Sequence, residues 1–204
     1  MNVPRRQQSD RTAATRSSVL DATVELLIER GYAGTSTRLA AERAGVSLGA
    51  LQHHFRTKAE LSVEAMRFVT ERLAEEFVAA APDSPDPVDR FGEILDRLFV
   101  VFRGPTFAAA VEIQLASRTD AELQKPVSDL HLDVEEIILK SARQVLPELV
   151  PLDGFNAVLQ TSVSAVRGLA IATMDPITDV EDQWVLVRAQ LLEIVARVAE
   201  QGQP

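Results

Sequence analysis

The chain has 204 residues, of which 46% are hydrophobic and 25% charged, values that fit a globular protein of one large or two small domains. It contains no cysteine, which excludes disulfides, thiolate metal sites and a cysteine nucleophile. No apolar run reaches the roughly 18 residues that a membrane span requires, and the N-terminus lacks an apolar signal-peptide core, so we expect a cytoplasmic protein with no membrane partner.

The formal net charge of −9 is distributed unevenly along the chain. Residues 1–58 hold nine basic and five acidic residues, a balance of +4, whereas residues 59–204 hold the other 12 basic and 25 acidic residues, a balance of −13. A basic segment on an acidic body is typical of a protein that presents one end to a polyanion, although many domains without such a partner carry a similar segment.

The hydrophobic pattern is helical along nearly the whole chain, and no alternating strand pattern competes with it. The first helix is predicted at about residues 11–30, and Gly31 provides its C-terminal stop. Its apolar stripe consists of Leu20, Val24, Leu27 and Ile28.

Two short helices follow, separated by a glycine. Residues 35–37 (TST) provide capping chemistry for the first helix, and Gly45 stands after its last turn, where a left-handed residue can end a helix. Ser47 can cap the second helix, whose sequence is LGALQHHF. Two short helices joined by a tight glycine turn and braced by a longer helix predict a helix-turn-helix, whose second helix enters the DNA major groove.

The rest of the chain predicts longer helices. Thr57 to Glu60 has the pattern of a capping box, in which a threonine hydroxyl and a glutamate carboxylate accept hydrogen bonds from free N–H groups at a helix start. The stretch APDSPDP is the best linker candidate, and Asp86 with Pro87 opens the next helix. These helices are predicted at about residues 57–80, 87–103, from the Thr119 capping-box pattern towards Pro147, 152–174 and 180–201.

The run ERGYAGTSTRLAAERAGVSLGALQHHFRTKAELSVEA resembles the N-terminal pattern of the TetR family of bacterial regulators, and the resemblance covers about residues 11–66. It implies an all-α protein of about nine helices, with an N-terminal three-helix helix-turn-helix DNA-binding domain and a C-terminal helical ligand-binding and dimerisation domain. We expect a flexible basic tail at 1–10 and these two domains at 11–57 and 58–204. The family implies a homodimer that responds to a small-molecule effector and binds a palindromic double-stranded DNA operator, most often as a repressor.

By the same resemblance, ten residues are expected at the DNA: Thr37, Arg38, Ser47, Leu48, Gly49, Ala50, Gln52, His53, His54 and Lys58. Arg38 matches a position that touches a base edge, and arginine can bind O6 and N7 of guanine together. Gly49 costs about 1 kcal/mol of helix propensity against alanine but allows close approach to the duplex. Gln52 stands where the family usually has tyrosine, and its amide could bind either adenine or phosphate.

Alternatives remain for several of these residues. Adjacent helical side chains such as His53 and His54 point about 100° apart and cannot share a metal in the i, i+4 manner, so DNA contact or local packing is favoured over a metal site. Lys58 is expected at phosphate, against the alternative of a solvated surface lysine. Arg5 and Arg6 form either an arm in the minor groove or a disordered tail.

A dimer interface is predicted on the last two helices. Residues of the last helix recur at heptad-like spacing, and the preceding helix offers small residues that permit close approach. With a symmetry mate these helices would form a self-complementary interface, and the alternative is ordinary core within one chain. The predicted residues are Ser162, Ala165, Trp184, Val187, Leu191, Ile194 and Val198.

A small-ligand site is also predicted in the C-terminal helices, where aromatic residues and isolated polar residues interrupt otherwise apolar patterns. Taken singly, residues of these kinds are more often core aromatics or surface polar residues than ligand contacts. The candidates are Phe68, Phe99, Phe102, Phe107, Glu112, Gln114, His131 and Arg167.

The sequence contains no phosphate-binding glycine loop, zinc-ligand spacing or G-x-S-x-G elbow, so no catalytic residue, metal site or cofactor is predicted. The alternative to a regulator is a helical-bundle enzyme or small-molecule binder whose helix-turn-helix no longer regulates transcription. A non-specific architectural DNA-binding protein is disfavoured by the acidic body.

Overall fold

The computed structural model describes residues 3–175 and 179–202, with side chains from residue 12 onward. All regular secondary structure in these two ranges is helical, which confirms the predicted all-α fold. The nine helices found there are α1 Val3–Gly34, α2 Thr37–Arg43, α3 Leu48–His54, α4 Lys58–Ala79, α5 Pro87–Phe102, α6 Pro105–Ala116, α7 Ala121–Val145, α8 Phe155–Ala172 and α9 Glu181–Gln201.

Helix α1 differs from its predicted form at both ends. It begins at Val3 rather than near residue 11, so residues 3–10 are helical where a tail was expected. Regular helical geometry is interrupted at Gly31, whose φ of +66° is open to glycine without the steric penalty of a Cβ. Leu20 of the predicted stripe is fully buried, whereas Ile28 is 39% exposed, so the stripe ends earlier than its spacing predicts.

The chain divides into two compact units. The first consists of Met1–Leu73 and Ala109–Glu135, and the second of Ala74–Ala108 and Glu136–Pro204. Helices α4, α6 and α7 each contribute residues to both units. The predicted boundaries after residues 10 and 57 follow the sequence motif and stay a prediction.

The first unit has its own hydrophobic core, in which α1 packs on the two short helices and the start of α4. Leu20 and Leu27 of α1 meet Leu51 of α3 and Leu61 of α4 in this cluster, and Phe55 closes it after α3. Each of these side chains is almost completely buried. Burying a large apolar side chain contributes roughly 1.5–3 kcal/mol, so this cluster is what fixes the short helices in place.

The second unit has a separate core formed by α5, α8 and α9 with the end of α7. Phe91 of α5 and Phe155 of α8 meet edge to face, with ring centroids 5.9 Å apart. Phe99 of α5 stacks on Trp184 of α9 at 4.5 Å. Aromatic pairs at such separations add about 0.5–1.5 kcal/mol beyond area burial, so they hold α8 and α9 against α5.

The predicted helix caps agree with the structure at α4 and α5 and differ at α7. Thr57 caps α4 and Asp86 caps α5, each through its side-chain oxygen. At α7 the capping side chain is Asp120, which accepts a hydrogen bond from the N–H of Glu122 at 3.0 Å, rather than Thr119. A carboxylate is the better acceptor at the positive end of a helix, and it shifts the cap by one residue.

Within the described ranges, no single helix is long and apolar enough to cross a membrane. Helices α5 and α6 meet that test of length and composition only when taken together across a bend of 69°.

Candidate nucleic-acid interface

Helix α2 is held at its start by a serine cap. The hydroxyl oxygen of Ser36 accepts a hydrogen bond from the N–H of Leu39 at 3.2 Å. Ala40 and Ala41 face the core of the first unit, while Thr37 is half-buried and Arg38 is exposed. The cap and the buried alanines therefore fix a seven-residue helix that directs Arg38 into solvent at its first turn.

The turn after α2 requires a left-handed residue. Gly45 has φ +67°, and its side-chain position is open, with no described atom within 4 Å of an added Cβ. The N–H of Val46 donates to the carbonyl oxygen of Ala41 at 3.0 Å, which closes the helix end. Conformation rather than packing thus explains glycine at position 45, as predicted for the turn of a helix-turn-helix.

Helix α3 is capped by one residue and anchored by two. The hydroxyl oxygen of Ser47 accepts a hydrogen bond from the N–H of Ala50 at 3.2 Å. Leu51 and Phe55 are 0% and 2% exposed and fix the inner side of the helix. The opposite side is solvent-exposed and consists of Leu48, Gly49, Gln52 and His53.

The two histidines lie in different environments. His53 is exposed and His54 is half-buried, with ring centroids 5.5 Å apart in an edge-on arrangement. The ring of His54 also approaches Phe55, at 6.1 Å between centroids. In the part of the chain that is described, no three His, Asp or Glu side chains come close enough to hold a metal ion. The geometry supports packing for His54 and an outward role for His53.

Lys58, predicted as a phosphate ligand, is engaged inside the first unit. Its ammonium nitrogen lies 4.1 Å from the centre of the Tyr32 ring and donates a hydrogen bond to the carbonyl oxygen of Ala33 at 3.4 Å. Burial lowers the pKa of Lys58, against the opposing influence of the carboxylates of Asp120 and Glu112. In the free chain Lys58 therefore braces the end of α1, and its contact with phosphate stays a prediction.

Glu112, predicted to line a ligand pocket, is also part of this brace. It is exposed, and its carboxylate accepts a hydrogen bond from the backbone N–H of Tyr32 at 2.7 Å. The hydroxyl of Tyr32 lies 3.3 Å from a carboxylate oxygen of Asp120. Burial, followed by the charge of Asp120, raises the pKa of Tyr32 to about 12. The partners of Tyr32 lie 80 and 88 positions away in the chain, beyond the reach of local patterns.

The cations near the short helices fall into two groups. Arg16 pairs with Glu64 at 2.7 Å, and Arg43 pairs with Glu29 at 2.6 Å. On or next to the three N-terminal helices, Arg30, Arg38 and Arg56 are exposed and form no ion pair with another described side chain. Arg56 was not among the predicted contacts because it falls outside the family pattern, although it stands directly after α3. The side chains of Arg5 and Arg6 lie outside the described residues.

The eight predicted ligand residues do not form one cluster within either unit. Phe68, Glu112, Gln114 and His131 belong to the first unit, and the last three of these are exposed. In the second unit Phe99 is buried in the stack with Trp184, and Arg167 is half-buried on α8. Phe102 and Phe107 are half-buried neighbours there, with ring centroids 4.8 Å apart. His131 lies 3.4 Å from Glu135, one turn along α7.

Most of the predicted dimer residues face the core of their own unit. Ser162, Trp184 and Leu191 are buried there, and Ala165, Val187 and Val198 pack against the same cluster. Of the predicted set only Ile194 is exposed, at 42%. The outward large apolar side chains of α8 and α9 are Ile194 itself and three residues outside the predicted set, Ile171, Val185 and Leu186. The residues at heptad-like spacing therefore lie mostly on the inner face of α9, since a pattern of spacing does not distinguish two neighbouring helical faces, and their place in a dimer interface stays a prediction.

Comparison with known proteins gives a consistent result. Residues 19–65 match the family model of bacterial regulatory proteins, tetR family. The chain is 28% identical over 190 residues to the HTH-type transcriptional regulator Rv2912c of Mycobacterium tuberculosis, an alignment that covers 92% of this chain and 97% of the relative. A solved chain from Rhodococcus sp., classed as a TetR-family transcriptional regulator, superposes with a TM-score of 0.68 at 21% identity, covering 92% of this chain and 99% of that one.

A second solved structure is the multidrug binding protein EbrR in complex with proflavin. It superposes with a TM-score of 0.57 at 24% identity, and the match covers 90% of this chain and 99% of EbrR. At this level of identity both structural likenesses concern the fold, and they extend over the second unit as well as the first.

Proposed function

Because the chain belongs to the TetR family of bacterial regulatory proteins and is therefore a DNA-binding transcriptional regulator rather than an enzyme, we propose that it represses transcription as a homodimer on a palindromic operator. A small-molecule effector would release it. A regulator of chromosomal genes works in the cytoplasm, and we propose that location for this protein.

One observation carries the proposal for DNA binding. Helix α3 is anchored on one side by Leu51 and Phe55 and presents on the other a face with no partner in the described part of the chain. The exposed Arg38 stands at the first turn of the preceding helix. A short helix fixed this firmly and exposed along one face suits insertion into the major groove, whose width of about 12 Å admits one helix.

The dimer is proposed to form through the outward face of α8 and α9. Leu186 and Val185 are 67% and 64% exposed, and Ile171 adds a third large apolar side chain. Gly168 is exposed on α8, and no described atom lies within 4 Å of an added Cβ, which leaves room for another helix to approach closely. A symmetric pair of chains would give two heads, and a palindromic operator needs half-sites about 34–36 Å apart.

We infer that the effector is an aromatic or apolar small molecule bound in the second unit near Phe102 and Phe107. Their half-buried, adjacent rings are typical of the walls of small-molecule sites. The relative EbrR is a multidrug binding protein solved with proflavin, which supports the same class of ligand. Effector and operator would then oppose each other's binding by one coupling free energy.

The proposal is tested by incubating the purified protein with sheared DNA of its source genome, recovering the bound fragments and sequencing them. We expect a few enriched fragments that share an imperfect palindrome, and a loss of that enrichment for Arg38→Ala. The matched control is Arg143→Ala, which removes the same charge from an exposed position of α7 in the second unit.

The outcomes separate the two candidate functions. Enrichment that survives in the control and disappears in Arg38→Ala supports the regulator. A protein that enriches no fragment at low salt, both as purified and after refolding without bound ligand, would instead be a small-molecule binder whose helix-turn-helix no longer regulates transcription.

A further inference from the structure

The outward face of α3 offers an unusual set of groups for a DNA-binding helix. Its exposed residues are Leu48, Gly49, Gln52 and His53, and the described helix carries no arginine or lysine. The commonest specific contact to guanine is a bidentate arginine or lysine. The chemistry that remains on α3 is an apolar side chain, a carboxamide and an imidazole, and the first two match the major-groove edge of an A·T pair.

Leu48 is the first residue of α3 and is 38% exposed. An isolated exposed leucine is ordinary on a protein surface, but this one stands at the N-terminal end of the helix, where helix-turn-helix proteins meet base edges. The major-groove group that favours an apolar contact is the C5-methyl of thymine.

Gly49 indicates that the same end of the helix meets something outside the chain. Its φ is not positive, and no described atom lies within 4 Å of an added Cβ. Neither conformation nor internal packing therefore requires glycine, which costs about 1 kcal/mol against alanine inside a helix. Gly45 is explained by its positive φ, whereas nothing described in the chain requires glycine at position 49, where its absent side chain would permit close approach of another molecule.

Gln52 lies one turn after Leu48 on the same face and is exposed. A glutamine amide can donate to N7 and accept from N6 of adenine in the complementary sense, which makes adenine its preferred base. Four helical residues rise about 6 Å, and one base step rises about 3.4 Å, so the two side chains reach base pairs about two steps apart at most.

We propose that Leu48 and Gln52 are specificity-determining residues that select A·T pairs in each operator half-site, Leu48 through a thymine methyl group and Gln52 through the N6 and N7 edge of adenine. This inference rests on the proposed function, because it concerns the same helix in the same groove. Beyond that function, the inference specifies which base pairs each operator half-site must contain.

The first step of the test selects operator sequences from a random DNA pool with the full-length protein. We expect A·T pairs at adjacent or nearly adjacent half-site positions facing α3. Guanine or cytosine at those positions would overturn the inference while leaving the regulator intact. A pool with no selected sequence at all would overturn both, so the two failures differ.

The second step changes one chemical group of the DNA at a time and leaves the protein unchanged. Replacing the selected thymine by deoxyuridine removes only the methyl group and should weaken binding about fourfold per half-site. Replacing the selected adenine by 7-deazaadenine removes only the N7 acceptor and should weaken binding at least about fivefold. Unchanged affinity in either case contradicts the corresponding contact.

The third step assigns the contacts to residues. Leu48→Ala should bind thymine and deoxyuridine operators equally, and Gln52→Ala should bind adenine and 7-deazaadenine operators equally. The control is Ile28→Ala, a truncation of an equally exposed aliphatic residue on α1, which should keep the full sensitivity to both modifications. A Leu48→Ala protein that still distinguishes thymine from deoxyuridine would assign the methyl contact elsewhere and overturn the role of Leu48.

Discussion

Tyr32 is the only tyrosine of the chain, so its phenolate absorbance reports on one site. Burial and Asp120 raise its pKa to about 12, whereas an unfolded tyrosine titrates near pH 10. We therefore expect the folded protein to titrate at about pH 12 and the protein in denaturant at about pH 10. Because the folded-state pKa is the higher, the neutral phenol stabilises the fold fully below pH 10, and this contribution is lost as the pH rises through 12.

Asp120→Asn separates the two causes. Since burial is the largest single cause and is kept in this variant, the midpoint should fall only part of the way towards the unfolded value. Asp129→Asn, on the same helix but paired with Lys125 at 2.7 Å, should leave it unchanged. A folded-state midpoint near pH 10 in the original protein would mean that the phenol is not enclosed.

Lys58 and Arg38 are predicted to differ although both are basic residues of the first unit. Loss of the contact with Tyr32 in Lys58→Met should lower the free energy of unfolding by about 0.5–1 kcal/mol and leave the salt dependence of DNA binding unchanged. Arg38→Ala should leave stability nearly unchanged. If Arg38 contacts phosphate as well as a base, its removal should make the slope of log binding constant against log salt concentration less steep, by about 0.9 per half-site. Urea unfolding and binding at several salt concentrations measure both.

A smaller salt slope for Lys58→Met would contradict its assignment as a brace. Lys125→Met is the matched control, because that lysine is 83% exposed and pairs only within α7. The sequence alone predicted phosphate as the partner of Lys58, which stays a prediction, and it gave no sign of the contacts with Tyr32 and Ala33. Its partners Tyr32 and Ala33 belong to the end of α1, and which side of α4 meets them is decided by tertiary packing rather than by spacing.

At the scale of elements, the end of α1 is joined to α6 through one carboxylate. A Cβ added at Gly31 would lie 2.5 Å from a carboxylate oxygen of Glu112, and φ there is +66°. Gly31→Ala should therefore destabilise by about 1–3 kcal/mol of backbone strain at φ +66° and ψ 177°, and in addition by the loss of the Glu112–Tyr32 hydrogen bond when the flexible carboxylate moves aside. Glu112→Ala loses the hydrogen bond to Tyr32 but also removes the clash, so the double variant should be more stable than the sum of the single effects predicts.

Gly45 provides the control for this cycle. Its φ of +67° also disfavours a side chain, but an added Cβ meets no described atom within 4 Å. Gly45→Ala and Glu112→Ala should therefore be additive within about 0.5 kcal/mol. Urea unfolding of the original protein, the three single variants and the two double variants measures the free energies of unfolding for both cycles. Additive effects of Gly31→Ala and Glu112→Ala would show that the carboxylate moves aside freely.

The elements also show what sequence can predict. Helices α4 and α5 start and end within about one residue of their predicted positions, because caps, proline and the linker mark their ends locally. The start of α1 has no such mark, and its prediction failed by eight residues. For α9 the predicted bounds agree with the helix, whereas Trp184 and Leu191, predicted at the dimer interface, fill the core of the second unit and Val185 and Leu186 beside them are exposed.

At the scale of the molecule, the single tryptophan gives a probe of effector binding. Trp184 stacks on Phe99, and its indole N–H donates to a carboxylate oxygen of Asp96 at 3.1 Å. We expect proflavin to quench Trp184 fluorescence on binding. Phe102→Ala should weaken proflavin binding. The control is Leu132→Ala, a residue of the first unit that is 62% exposed, and it should leave proflavin binding unchanged. Bound proflavin should lower the affinity of the protein for its operator. Bound operator should lower the affinity for proflavin by the same factor. Tight proflavin binding with unchanged operator affinity would contradict the coupling.

The last prediction concerns the proposed dimer interface and is tested by measuring the oligomeric state. Leu186→Glu places a charge on the outward face of α9 and should produce monomers in sedimentation at concentrations where the original protein is dimeric. Val100→Glu is the control, because Val100 is 69% exposed on α5 and lies in the same unit. It should remain dimeric.

Dissociation should also affect DNA binding in a specific way. A dimer binds its second half-site at the high effective concentration set by the first, which can raise affinity by about 10²–10⁴. The Leu186→Glu monomer should therefore lose affinity for the full operator by a factor in this range and bind an isolated half-site as well as the original head does. If it bound both poorly, the substitution would have damaged the head. If it stayed dimeric, the subunits would meet through a different face.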